Sequence, residues 1–180
     1  MLPETNRKSG AESLRHMKKY RAGMFGGKFL PYHRGHLYCL EEASRLCGRV
    51  YQLLLYGGAE EEAALRALAP ERRDELAPEK RFARMREAGD RLGNVVTLRI
   101  DISACVTEDG REDWEAETPL VLEACGRFDA VFGSEPSYAE YFARAYPWAE
   151  YVLVDPARER YPVSGTMIRA GLEEAKRWML

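Results

Sequence analysis

Residues 50–56 read Val-Tyr-Gln-Leu-Leu-Leu-Tyr, a nearly unbroken apolar run held between Gly48 and the Gly57-Gly58 pair. Such a strand is apolar on both of its faces, so it must be covered on both. That is the situation of a strand in a parallel sheet with helices above and below. The rest of the chain fits this demand. Tyr20 to Phe25 reads as a strand running into Gly26-Gly27, and Asn94 to Ile102 alternates Val95, Thr97 and Arg99 against Val96, Leu98 and Ile100. Asp129–Gly133 and Tyr151–Val154 read as two short strands. Helical spacing falls between them. Arg34–Cys47 places Leu37, Leu40, Ala43, Leu46 and Cys47 at threes and fours, with Gly48 as its stop. Glu79–Arg91, Asp113–Cys125 (capped by Gly126), Glu135–Tyr146 and a last helix from Thr166 to about Trp178 follow. Residues 57–78 predict a surface excursion, partly helical. The alternation predicts an α/β sandwich around a mostly parallel five-strand sheet.

Composition narrows the function. The 180 residues carry 27 Lys and Arg against 29 Asp and Glu, a formal charge of −2. A non-specific nucleic-acid binder would carry a large basic excess, so no nucleic-acid partner is expected. No apolar run approaches the ~20 residues that span a bilayer, so no membrane partner is expected either. Residues 1–19 are expected to form a flexible, basic head, with no apolar core of signal-peptide length, and a cytoplasmic location follows as an expectation. The cysteines Cys39, Cys47, Cys105 and Cys125 contain no C-x-x-C pair, and there are three histidines. No metal site is expected from them; all four cysteines should be small buried hydrophobes.

In open parallel sheets, ligands bind beyond the carboxyl ends of the strands. After the first strand comes Gly26-Gly27-Lys28-Phe29-Leu30-Pro31-Tyr32-His33-Arg34-Gly35-His36. The glycines let backbone approach a ligand closely. His36 falls near a helix start, where free N–H groups attract anions. Two imidazoles there can donate to phosphate oxygens. After the last strand comes Pro162-Val163-Ser164-Gly165-Thr166-Met167-Ile168-Arg169. Ser164 or Thr166 is an N-cap candidate, and Arg169 shares a helix face with Thr166. That face would aim a guanidinium and a hydroxyl at one anion.

Together these segments resemble the nucleotidylyltransferase superfamily, with its H-x-G-H and I-S-S-T-x-x-R signatures. The first matches at His33, Gly35 and His36, and the second at Val163 to Arg169, with Gly165 where the family has its second serine. Gly27 to His36 further resembles a G-K-F-x-P-x-H-x-G-H form. Gly133-Ser134-Glu135-Pro136 resembles S-S-E-P, and Val154-Asp155-Pro156 with Arg158 resembles V-D-P-x-R. These features are those of NadR-type nicotinamide-nucleotide adenylyltransferases. The resemblance implies a Rossmann-like nucleotidylyltransferase domain over residues 20–180. No Walker P-loop is present and residues 1–20 are short for a helix-turn-helix unit, so neither kinase nor DNA-binding activity is expected of this chain.

The implied reaction moves AMP from ATP to nicotinamide mononucleotide, giving NAD and pyrophosphate, with Mg²⁺ bridging phosphate oxygens. His33, His36, Lys28 and Arg169 would be catalytic, with Lys28 reaching a phosphate of either ATP or the acceptor. Gly26, Gly27, Phe29, Gly133, Ser134, Asp155, Ser164, Gly165 and Thr166 would bind ATP. Trp114 is a candidate platform for the flat, cationic nicotinamide ring, and Arg81 or Arg84 a candidate for the acceptor phosphate. Glu60-Glu61-Glu62 reads as a solvated face. Partners would be small nucleotides, and self-association is common in such enzymes. Other acceptors (nicotinate mononucleotide, phosphopantetheine, or a phosphate substrate of CTP) and a non-catalytic nucleotide-binding module are the alternatives.

Overall fold

The computed structural model describes residues 18–180. Most of the head expected over residues 1–19 therefore lies outside the described residues. Five strands form one sheet: β1 (Tyr20–Gly27), β2 (Cys47–Tyr56), β3 (Val95–Asp101), β4 (Ala130–Gly133) and β5 (Glu150–Leu153), in the order β3-β2-β1-β4-β5. Every neighbouring pair is parallel. The helices are α1 (Arg34–Leu46), α2 (Ala59–Arg66), α3 (Pro70–Glu75), α4 (Pro78–Asp90), α5 (Trp114–Cys125), α6 (Ala139–Ala145), α7 (Gly165–Arg169) and α8 (Glu173–Lys176).

The side-chain period of two assigns alternate strand residues to the two faces. Phe25 and Leu54 point into a core built with Cys39, Leu40 and Ala43 of α1 and Met85 of α4. Their neighbours Met24 and Leu53 point into the opposite core, with Val121 and Cys125 of α5 and, packed against it, Phe142 of α6. Both faces of the central strands are thus sealed, as the apolar run in β2 requires. All four cysteines are buried and free. After β3 the chain returns past β1 to place β4 on its other side. That reversal opens a crevice between the carboxyl ends of β1 and β4.

The structure departs from the sequence reading at three boundaries. Helix α1 stops at Leu46 and the chain enters β2 directly at Cys47, so Gly48 lies inside a strand instead of ending a helix. A Cβ there would sit 3.0 Å from the Arg21 carbonyl, a close contact between paired strands. The helix expected from Glu135 opens as a single 3₁₀ turn, Pro136–Tyr138. The last helix is two short ones. Gly171, at φ +77°, adopts the left-handed conformation that ends helices. The Leu172 amide then returns to the Met167 carbonyl, at 3.2 Å.

The excursion over residues 57–78 is anchored by charge. The Arg81 side chain is fully buried and paired with Glu61, itself 3% exposed. Its Nε also donates to the Leu76 carbonyl at 2.7 Å, and its Nη1 to the Lys28 carbonyl at 2.5 Å. The glutamate run is therefore not one solvated face, because Glu61 is an interior ion-pair partner. Removing one member of such a pair strands a buried charge. Glu61→Ala should lower unfolding free energy by about 3–5 kcal/mol in denaturant melts. A loss below about 1 kcal/mol would show that solvent reaches Arg81 and that the pair does not hold the excursion.

Candidate active site

A cleft of about 530 Å³ occupies the crevice. One wall is the β1–α1 loop, where His33 is the N-cap of α1. The His33 amide donates to His36 Nδ1 at 3.3 Å, and the two rings stack with centroids 3.6 Å apart. Because His36 Nδ1 accepts, its Nε2 carries the proton in the neutral ring and is the donor left for a ligand. Phe29 holds this arrangement from below. It sits at φ +51°, its ring 4.9 Å from that of His36 and 5.2 Å from that of Tyr32. A non-glycine residue in that conformation must be held by its surroundings. Phe29 is buried and works chiefly as this anchor.

Burial sets the charge of the pair. It draws His33 down to about 4, with the Arg158 guanidinium adding to the effect. His36 is pushed well below its ordinary value by burial, then by His33 and Arg158. Both imidazoles are neutral at pH 7 and can take up charge only when negative charge arrives beside them.

The opposite wall is α7. Ser164 caps it, accepting from the Met167 amide at 3.2 Å. Arg169 Nη1 donates to the Leu30 carbonyl at 2.5 Å, and Nη2 to Thr166 Oγ1 at 3.2 Å. Gly165 explains its own presence. A Cβ there would lie 2.6 Å from the same Leu30 carbonyl and 3.1 Å from Arg169 Nη1. The serine of the resembling motif would collide with the loop. From the excursion, Arg72 of α3 donates to the carbonyls of Ile168 and Arg169 at 2.9 and 3.1 Å. A cation so placed satisfies the open end of α7.

Of the residues expected at the site, Gly26, Gly27, Lys28, Phe29, His36, Trp114, Gly133, Ser134, Ser164, Gly165, Thr166 and Arg169 line the cleft. His33 stands behind His36, its Nδ1 buried without a partner. Two expectations fail on position. Arg81 lies beneath the floor, engaged by Glu61 and two carbonyls, so it holds the Lys28 loop and does not face a ligand. The Asp155 carboxylate is turned into its own loop, where it accepts from the amides of Glu159, Arg160 and Tyr161.

Five charged lining residues were given no site role by the sequence reading: Arg158, Glu60, Glu112, Glu117 and Glu135. Arg158 had a signal, as the arginine of the V-D-P-x-R segment. Lys28 bridges Glu112 at 2.6 Å and Glu60 at 2.9 Å. Burial disfavours the Lys28 ammonium, but hydrogen bonds to Glu112 and Glu60 outweigh this and hold it charged. Trp114 stands at the start of α5, behind the Asp113 cap. The rings of Tyr138 and Tyr141 meet it edge-on at 5.1 and 5.2 Å. Among the described residues, no three His, Cys, Asp or Glu side chains converge as ligands to one metal ion. No helix among them is long and apolar enough to cross a membrane.

Two outcomes follow from this geometry. Gly165→Ser should separate α7 from the Leu30 loop and lower the unfolding free energy by about 1–3 kcal/mol in denaturant melts, the usual cost of overpacking; an unchanged value would mean the loop yields freely. The histidines also set a pH dependence. They are neutral in the folded chain but titrate near 6.5 when unfolded, so the unfolded state binds more protons between pH 6.5 and about 4. Stability should therefore fall as pH drops through that window. His33→Asn should flatten the fall in a Tm-against-pH series, and an equally steep profile would assign the loss to other groups.

Comparison with known proteins shows the family and the fold. The cytidylyltransferase-like family matches residues 24–171. No curated protein matches the sequence. Among solved structures, a NadR protein in complex with NAD and AMP-PNP is similar, with 20% identity and a TM-score of 0.57, over 90% of this chain and 45% of that one. A bifunctional NMN adenylyltransferase/ADP ribose pyrophosphatase from Francisella tularensis is similar at 19% identity and a TM-score of 0.57, over 89% of this chain and 45% of the other. The chain thus spans less than half the length of these proteins. With its motifs, its parallel sheet and a family match over most of its length, the chain belongs to the cytidylyltransferase-like family of nucleotidyltransferases.

Proposed function

We propose that the chain transfers AMP from ATP to the 5′-phosphate of nicotinamide mononucleotide, releasing pyrophosphate and forming NAD. The observation that carries this reading is one cleft with two unlike ends. His36, from the start of α1, lines it with Arg158, Ser164, Thr166 and Arg169 from the chain after β5, and Trp114 lines it with Glu112 and Glu117 around the start of α5. The first end suits a polyphosphate, and the second a flat cation. The similar structures support the choice of substrates, one holding NAD and AMP-PNP and the other being an NMN adenylyltransferase.

The chemistry needs no covalent enzyme intermediate. An oxygen of the acceptor phosphate attacks the α-phosphorus of ATP in line. The bond from that phosphorus to the β-bridging oxygen breaks, and its electrons leave with pyrophosphate. Such catalysis is positioning plus charge stabilisation. His36 Nε2–H donates to the phosphates, and the imidazole gains charge as the transition state does. Arg169 keeps guanidinium N–H groups beyond those given to Leu30 and Thr166, and these hold the leaving pyrophosphate with the Ser164 and Thr166 hydroxyls. Lys28 reaches a phosphate by exchanging Glu60 or Glu112 for it. Mg²⁺ carried with the ATP would neutralise phosphate charge, keeping most of its waters and needing few protein ligands.

The test is pyrophosphate release by the purified protein with Mg²⁺ and ATP or CTP. The acceptors are nicotinamide mononucleotide, nicotinate mononucleotide, phosphopantetheine and a sugar phosphate. Release only with ATP and a pyridine mononucleotide, with the dinucleotide formed, is expected. Release with CTP or a different acceptor class would overturn the reading. His36→Ala should lower kcat about 10²–10³-fold while changing ATP Kd far less. Equal losses in both would make His36 a binding residue only.

A further inference from the structure

The ring end of the cleft holds a carboxyl group that shares a hydrogen bond with its neighbour Glu112 and keeps one oxygen, Glu117 Oε1, that no donor on the chain reaches. Glu117 follows Trp114 by three residues on α5, so the two share one helix face. It is 6% exposed, it lines the cleft, and its Oε1 has no hydrogen-bond partner. A buried acceptor left open is costly, and native structures rarely keep one without a use.

Its surroundings sharpen the point. Glu112, from the loop before α5, has a side chain only 1% exposed. Glu60 approaches from α2. Lys28 is the cation between them, shared by Glu112 and Glu60. Three carboxyl groups therefore face one ammonium. The neighbouring Tyr141 hydroxyl is engaged by the Trp114 carbonyl at 2.8 Å and by Thr118 at 3.0 Å. The Asp113 carboxylate is engaged by the amides of Glu115 and Ala116. Cys105, from the loop after β3, is a buried thiol. No donor on these groups reaches Glu117 Oε1. The ligand is what remains to supply one.

We propose that Glu117, backed by Glu112, selects the acceptor ring: it accepts a hydrogen bond from a carboxamide N–H on a cationic pyridine and excludes a ring carboxylate. This rests on the adenylyl-transfer reading above and assigns its substrate choice to one residue. A carboxamide offers two N–H donors to an acceptor that has none. A ring carboxylate offers no donor and sets like charge against Glu117 in a desolvated place. The positive ring, stacked by Trp114, offsets the excess of carboxylates.

Protonation supports the same direction. Burial, then the Glu112 charge, raises Glu117 to about 7; Lys28 opposes this, and a hydrogen bond with Glu112 and the Glu60 charge add to it. An arriving cation draws Glu117 toward its ionised form, whereas an arriving carboxylate forces it to keep a proton. The preference for amide over acid therefore weakens as pH falls below 7.

The experiment measures Kd for nicotinamide mononucleotide and nicotinate mononucleotide by calorimetry, beside pyrophosphate release. The wild-type chain should bind the amide about a hundredfold more tightly at pH 8, since like-charge juxtaposition costs several kcal/mol. Glu117→Gln, which keeps size and removes charge, should reduce that ratio to below tenfold, mainly by tightening the acid, with ATP Kd unchanged. The wild-type ratio should also fall between pH 8 and 6, a readout that needs no variant. Equal wild-type affinities, a ratio intact in Glu117→Gln, or a ratio flat with pH would each overturn the proposal. Absence of pyrophosphate release with any acceptor would sink the adenylyl-transfer reading alone, because the binding ratios still judge Glu117.

Discussion

The Leu30 carbonyl is the point at which the two halves of the cleft are joined. It accepts from Arg169 and lies against Gly165, so it fixes the last helices to the loop after the first strand. More than 130 residues separate these segments in the chain. Only the parallel sheet brings them together, because every strand points its carboxyl end the same way. The contact is short, and a methyl group would be too large for it. Its closeness makes the histidines and the arginine face one space.

The interior charges are arranged as shared partners. Arg81 ties Glu61, the Leu76 carbonyl and the Lys28 carbonyl together. The side chain of Lys28 then joins Glu60 to Glu112. In the proposed reaction, a phosphate that drew Lys28 away would leave Glu112 without its cation, beside Glu117. Occupancy of the phosphate end would then make the ring end more negative and better suited to a cation. The two substrates would favour one another through a single ammonium, a coupling that is reciprocal by linkage.

Much of this was legible in the sequence, for a physical reason. The strands declare themselves by burial on both faces, and the phosphate end by glycine, histidine and arginine at short fixed spacings. Local spacing is what such motifs encode. Arg81 was read as a phosphate ligand because an arginine on a helix is normally free to reach one, and nothing nearby in sequence announced Glu61 as its partner twenty residues away. Glu60, Glu112 and Glu117 were missed for a related reason. Their meaning comes from meeting Lys28 across three elements, and a run of acids looks the same whether it faces water or a cleft. The break in the last helix was written in Gly171, but the amphipathic spacing on both sides concealed it.

Arg72 gives the excursion over residues 57–78 a second meaning. A surface segment between β2 and α4 would ordinarily tolerate insertion and deletion. Here its inner end is held by Glu61 and its outer arm grips the end of α7, the helix that carries Arg169. It works as a strut spanning the molecule from the sheet's flank to its last helices. Relatives that differ in the length of this strut would have to move or rebuild the arginine at its far end. Exchanging the segment between them should displace α7 and Arg169, although no residue in it other than Glu60 and Ala64 faces the cleft.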